Sequence, residues 1–124
     1  MEVNLDQANY MLNFTAEQLD YLCRTKYGAE RRVQCLFHLI AIAEKESKTI
    51  VKKGIKSVVP PGAVEIPHKQ LAAILKCDRK TVMRMLKEMN DLGLIESTSN
   101  YRTSIHRLKC LKGWSNETYA VYLQ

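Results

Sequence analysis

Arg79, Lys80, Thr81, Met83, Arg84 and Lys87 fall within one short run and are the side chains of this chain best equipped for chemistry. Arg79, Lys80, Arg84 and Lys87 are cations, and the run holds no proton shuttle or activated nucleophile, so the chemistry on offer is the gripping of a polyanion. An arginine fork matches paired acceptors such as guanine O6 and N7, whereas a lysine near a helix start meets a phosphate as a point charge. Lys80 and Arg84 are spaced to share one side of a helix, displaced from the apolar residues Val82, Leu86 and Met89. The cations must then face solvent or a ligand.

Other chemistries find no footing. The chain has no phosphate-cradling glycine loop, nucleophile elbow or HExxH, and His38, His68 and His106 are far apart and not grouped with paired carboxylates. Cys23, Cys35, Cys77 and Cys110 are too widely spaced for a zinc knuckle and read as buried thiols. No catalytic residue, metal ligand or cofactor is therefore assigned, and the chain reads as a binding protein, not an enzyme. A lone histidine such as His106 on a strand is more often structural or solvated than a ligand.

Two short helices must position the cations. Leu71, Ala72, Ile74 and Leu75 repeat at helical spacing on the first, and Val82, Leu86, Met89 and Leu92 on the second. Lys76-Cys77-Asp78 leaves only a tight turn between them, with Asp78 as N-cap of a helix that starts at Arg79. Beyond Gly93, Leu94 to Ser97 begins a strand, Thr98 to Arg102 makes a polar loop, and Thr103 to Leu111 returns as a second strand.

This pattern resembles the winged helix-turn-helix of bacterial regulators and of phage and plasmid replication proteins. The residues that carry the resemblance are Leu71-Ala72, Arg79-Lys80-Thr81-Val82, Arg84, Leu86-Lys87-Glu88-Met89 and Leu92-Gly93-Leu94-Ile95, and it extends over residues 50–110. Pro67 stands where the family usually has Ser or Thr, which removes a capping hydroxyl. Lys76 stands where Gly is common, so it must hold a turn conformation that Gly adopts more cheaply. The resemblance implies a mainly α fold with a small β-hairpin wing, the winged helix-turn-helix being preceded by N-terminal helices. It implies double-stranded DNA as partner, with Arg79, Lys80, Thr81, Met83, Arg84 and Lys87 on the recognition helix and Asn100, Tyr101, Arg102 and Thr103 at the wing tip. Lys69 and Lys53 are the flanking candidates.

The rest of the chain supports that core. Residues 1–13 show no sustained period. Thr15 and Gln18 form a capping box for a helix over 15–26, ended by Gly28, and a second helix is predicted over 29–47 with Val33, Leu36, Phe37, Ile40 and Ala43 inward. Residues 49–66 read as two extended pieces joined at Pro60-Pro61-Gly62, the second pairing with the wing strands. Lys52, Lys53 and Lys56 make the first piece basic, either as a solvated loop or as a second phosphate contact. The tail, residues 113–124, fits strand or helix, with Trp114, Tyr119 and Tyr122 covering a core edge or a dimer contact. The organisation expected is one compact unit: N-terminal helices over 1–48, the candidate homodimer interface, then the winged helix-turn-helix over 49–112, then the tail.

Charge follows the same division. The chain carries a net +6, yet residues 1–20 hold Glu2, Asp6, Glu17 and Asp20 and no Lys or Arg, so the basic excess lies in the helix-turn-helix half. No signal peptide and no membrane span is predicted, and free thiols suit the cytoplasm. Little chain precedes position 50, so no small-molecule sensor is expected. Three functions remain: a sequence-specific, dimeric transcriptional regulator; an accessory factor for replication, excision or transfer of a mobile element; and a winged helix used as a protein-interaction module. The bases on the recognition helix argue against the last.

Overall fold

A computed structural model describes residues 8–24, 28–99 and 103–123. In chain order these form β1 (Asn9–Leu12), α1 (Ala16–Cys23), α2 (Ala29–Ile42), β2 (Lys48–Lys52), β3 (Ile55–Val59), β4 (Ala63–Glu65), α3 (His68–Leu75), α4 (Arg79–Asp91), β5 (Ile95–Ser99), β6 (Ser104–Leu108), β7 (Leu111–Ser115) and β8 (Ala120–Tyr122). The strands make three sheets, ordered β1-β7-β8, β2-β3 and β4-β6-β5. Among the described residues 39% are helical and 32% are in strands, which corrects the expected mainly α fold with a small wing.

Two sources account for the extra strand content. Residues 48–59 are a hairpin of their own, closed at Lys53 (φ 50°) and Gly54 (φ 82°), the two-residue left-handed turn that matches the twist of antiparallel strands. The sequence reading found the joint at Gly62 (φ 83°), which does turn the chain into β4, and missed this one. The second source is the β1-β7-β8 sheet, in which Tyr10 pairs with Trp114 and Trp114 with Val121. These strands come from opposite ends of the chain, so no local period announces the pairing. Gly113 sits in the middle of it with φ 150°, where a Cβ would collide with the Val121 carbonyl oxygen.

Helix α2 stops short of the predicted limit for a related reason. Ala43 leaves the helix with ψ 138°, which lets Glu44 N–H donate to the Ala63 carbonyl at 2.8 Å and its own carbonyl accept from Gly62 N–H at 2.7 Å. Two tertiary backbone bonds replace a further helical turn. Phe37, expected inward, is 41% exposed and leans on Phe14, while Cys35 and Leu39 are fully buried in its stead.

One apolar core joins the layers: Leu36, Leu39 and Ile40 from α2, Leu71 and Leu75 from α3, Val82, Met85, Leu86 and Met89 from α4, Leu94 and Ile95 at the wing root, and Trp114 from β7. Helix α1 begins with the predicted box, Gln18 N–H donating to Thr15 Oγ1 at 3.1 Å and Thr15 N–H to Gln18 Oε1 at 2.9 Å. The Gln18 side chain then donates to the Leu92 carbonyl at 2.9 Å, tying α1 to the end of α4.

A polar network fixes the wing to α4. Asn90 Nδ2 donates to Ser97 Oγ at 2.9 Å, Ser97 N–H donates to Asn90 Oδ1 at 2.8 Å, and Ser97 Oγ lies 2.6 Å from His106 Nδ1. Asn90 donates to the Ser97 hydroxyl, the Ser97 Oγ–His106 Nδ1 contact closes the network, and His106 Nε2 is buried without a hydrogen-bond partner among the described residues. His106 is 1% exposed and stacks on His68 with ring centroids 6.2 Å apart. Burial, followed by the neighbouring His68, lowers its pKa to about 4.

Two outcomes follow from this packing. Leu86→Ala removes a side chain that is 4% exposed and should destabilise the protein by about 2 to 5 kcal/mol in urea titration; an unchanged midpoint would refute the helix phase. His106 is held neutral below its ordinary 6.5, so its contribution is complete above that pH and is lost as pH falls toward about 4. That loss should be on the order of 3 kcal/mol in full. His106→Asn, which keeps a partner for Ser97, should flatten the stability curve in that window relative to the parent; parallel curves would refute the assignment.

Candidate nucleic-acid interface

Helix α4 is built to expose its cations. Val82, Met85, Leu86 and Met89 are buried on one side, and Arg79, Lys80, Met83, Arg84 and Lys87 are exposed on the other, with Thr81 half-buried between them. Met85, which the sequence reading left out of the stripe, completes the buried face. Asp78 opens the helix as predicted, accepting from Thr81 N–H at 2.7 Å. Hydrogen bonds from Thr81, with Lys80 and Arg84 adding attraction, hold the Asp78 carboxyl below its ordinary pKa.

The charges run against the helix's own field. The first turn of α4 has no acidic residue and begins Arg79-Lys80, placing cations at the positive end of the macrodipole. The Asp78 cap is the one carboxylate at this end, and Arg79 and Lys80 outnumber it. An anionic ligand at this end relieves the conflict, since helix N-terminal N–H groups and two cations would then face it together.

The turn before α4 is also strained in the expected way. Lys76 takes φ 54°, ψ 48° as C-cap of α3, its N–H reaching the Ala72 and Ala73 carbonyls. A non-glycine residue there costs roughly 1 kcal/mol, yet the left-handed cap is what turns the chain back quickly enough for α4 to pack on α3. Pro67 is extended at the head of α3 and gives no side-chain cap. Lys69 is exposed in the first turn of α3.

Lys87 pairs with Asp91 at 2.9 Å, both largely exposed, and the hydrogen bond and charge of Asp91 raise its pKa. It is tethered along the helix one turn from Arg84. Burial, and then the charge of Arg79, lowers the pKa of His68 at the start of α3.

Arg31 was missed by sequence reasoning. It lies in the first turn of α2, with Gly28 and Arg32, and shares a groove of about 430 Å³ with Thr81, Arg84, Met85 and Glu88. Its position on the polar side of α2 was the available signal, but only tertiary packing sets it beside Arg84. Arg32 is not a surface cation: it is 7% exposed, stacks 4.8 Å from the Tyr21 ring centroid and donates to the Tyr21 carbonyl at 2.9 Å.

At the wing, Asn100, Tyr101 and Arg102 lie outside the described residues. Thr103, placed at the tip by sequence, is 6% exposed at the foot of β6. Lys53 stands at the β2–β3 turn, on a hairpin distinct from the β5–β6 wing, and is exposed. Cys35 and Cys110 are buried, and burial pushes their thiols up to about 12 and about 11, which makes them inert. Among the described residues no three His, Cys, Asp or Glu side chains converge into a metal-binding group, and no helix is long and apolar enough to cross a membrane.

No curated protein and no solved structure matches the chain. A family model for the Crp-like helix-turn-helix domain matches residues 30–114, from the first turn of α2 to Trp114 in β7. That match spans well over half of the chain and takes in α2, the β2–β3 hairpin, the helix-turn-helix and the wing strands. With its capped and cation-bearing α4 packed on α3, this protein belongs to the Crp-like helix-turn-helix family and is a DNA-binding helix-turn-helix protein.

Proposed function

We propose that the protein is a sequence-specific transcriptional regulator that reads duplex DNA with α4. The observation that carries this reading is the exposed set Arg79, Lys80, Arg84 and Lys87 along one side of a helix whose opposite side is committed to the core, with Arg79 and Lys80 in its first turn. Bases and phosphates need both elements, a projecting helix and exposed cations; Arg79, Lys80 and Arg84 form no ion pair among the described residues, and Lys87 would exchange its exposed Asp91 partner for a phosphate. Arg84 is assigned to a base edge, Lys80 to a base or the backbone, and Lys87 to a phosphate. Met83, 49% exposed, supplies an apolar contact beside Arg84. Two copies acting together, paired through α1 and α2, are part of the proposal; the exposed Phe37 and Ile42 on α2 support it.

The accessory role in a mobile element uses the same surface but needs no tight sequence preference. Selection of bound duplexes from a random pool separates the two: a defined motif supports the regulator, a palindromic one the paired regulator, and no motif the accessory role.

The electrostatic test is direct. If each protomer neutralises about 4 to 6 phosphates, log affinity should fall with log salt at a slope of roughly −4 to −5. A flat response would end the DNA reading. Arg84→Ala should weaken the preferred site by about 1 to 3 kcal/mol and relax preference at one base pair, whereas Lys87→Ala should weaken all duplexes alike and reduce the slope by about one unit. Equal weakening of preferred and scrambled duplexes by Arg84→Ala would show that this residue does not read bases.

A further inference from the structure

The β2–β3 hairpin is the part of the basic half that the helix-turn-helix and the wing leave unexplained. Residues 48–62 hold Lys48, Lys52, Lys53 and Lys56 and no carboxylate. Lys48 lies 3.5 Å from Glu44, and Lys52 is ion-paired with Glu65. Among the described residues neither Lys53 nor Lys56 pairs with a carboxylate, and both are exposed.

Sheet register shows where the hairpin points. Glu65 pairs with Ile105 and Ile105 with Thr98, so Glu65 stands at the end of the β4-β6-β5 sheet from which the wing loop leaves. Lys52, the last residue before the hairpin turn, is held to that same Glu65. The hairpin tip and the wing loop therefore emerge at one end of the sheet. The start of α3, with exposed Lys69, follows Glu65 after only Ile66 and Pro67.

The turn itself is the second observation. Its positions favour Asn-Gly or Asp-Gly, because both residues have positive φ. Lys53 occupies the first of them at φ 50°, a conformation a lysine adopts poorly, and so carries its charge at the outermost point of the hairpin. The Lys52–Glu65 pair and the buried Val59 anchor the strands beneath it.

We infer that this hairpin is a second wing, whose Lys53 and Lys56 meet the phosphate backbone of the same duplex on the β4 side of the recognition surface. The inference rests on the DNA reading above. Its occupant is the continuing duplex, because the hairpin offers cations without carboxylates and adjoins the end of the sheet where the wing loop and α3 begin. The outer face also exposes Val51 and Val58, each 59%, and a protein partner would use those instead.

The test is a double variant, Lys53→Asn with Lys56→Gln, in the full chain; Asn tolerates the left-handed turn, and thermal melting checks that the fold is kept. It should weaken preferred and scrambled duplexes alike by about ten-fold and shrink the salt slope by about one to two units, with base preference unchanged. Trimming the duplex stepwise from each end should cost the parent protein a similar increment at one end that the variant no longer has to lose. A variant with the parent's slope and length dependence overturns the second wing while the DNA reading stands, and leaves the Val51/Val58 face to a protein partner. A parent protein that fails to bind any duplex takes down both.

Discussion

Burial of Val82, Met85, Leu86 and Met89 in the core, where α4 packs on α3 and β5, is the constraint on which the rest of this molecule depends. It fixes the rotation of α4, and a helix has only one opposite side, so Arg79, Lys80, Arg84 and Lys87 can go nowhere but outward. Rotating α4 by one residue would draw a cation toward the core, where an unpaired charge is costly. Hydrophobic packing thus does the aiming for electrostatics. The Asp78 cap adds the start point, setting where the N–H groups of the first turn become available.

Around that helix the structure spends its specific hydrogen bonds on holding neighbours in place. Gln18 reaches the Leu92 carbonyl from α1, and Tyr21 Oη donates to Glu88 Oε1 at 3.0 Å, so α1 grips the far half of α4. Asn90, Ser97 and His106 do the same between α4 and the wing strands. Both sets act away from the first turns, leaving the cationic half clear. The buried neutral histidine ties the wing root to the start of α3 through its contact with His68, which makes this joint sensitive to acid.

The basic surface is wider than the recognition helix. Arg31 comes from α2, Lys53 from the β2–β3 hairpin and Lys69 from α3, three elements that precede α4 in the chain. Their shared feature is exposure beside elements that pack on α4 or on the wing sheet. A duplex spanning this surface would meet phosphate contacts from several directions, which is how orientation is set before bases are read.

What the sequence determined by itself was governed by short-range chemistry, although the local Lys53-Gly54 turn of the β2–β3 hairpin escaped it. Asp78 and Thr15 as caps, the αL turn at Lys76, the tight joint between α3 and α4, the return of the wing and the outward set of Arg79, Lys80, Arg84 and Lys87 all depend on residues within one or two helical turns of each other. Such periodicities survive in a linear string. What only the tertiary structure decided was pairing between distant segments: β1 with β7, the early end of α2 where Glu44 bonds with Gly62 and Ala63, the burial of Thr103, and the placing of Arg31 beside Arg84. In the pairings among these the partner lies far along the chain, and short strands with no alternating pattern, such as Asn9–Leu12, gain their conformation from the ladder they join and not from their own residues. The mainly α expectation failed for that reason, because local period marks helices strongly and marks short, paired strands hardly at all.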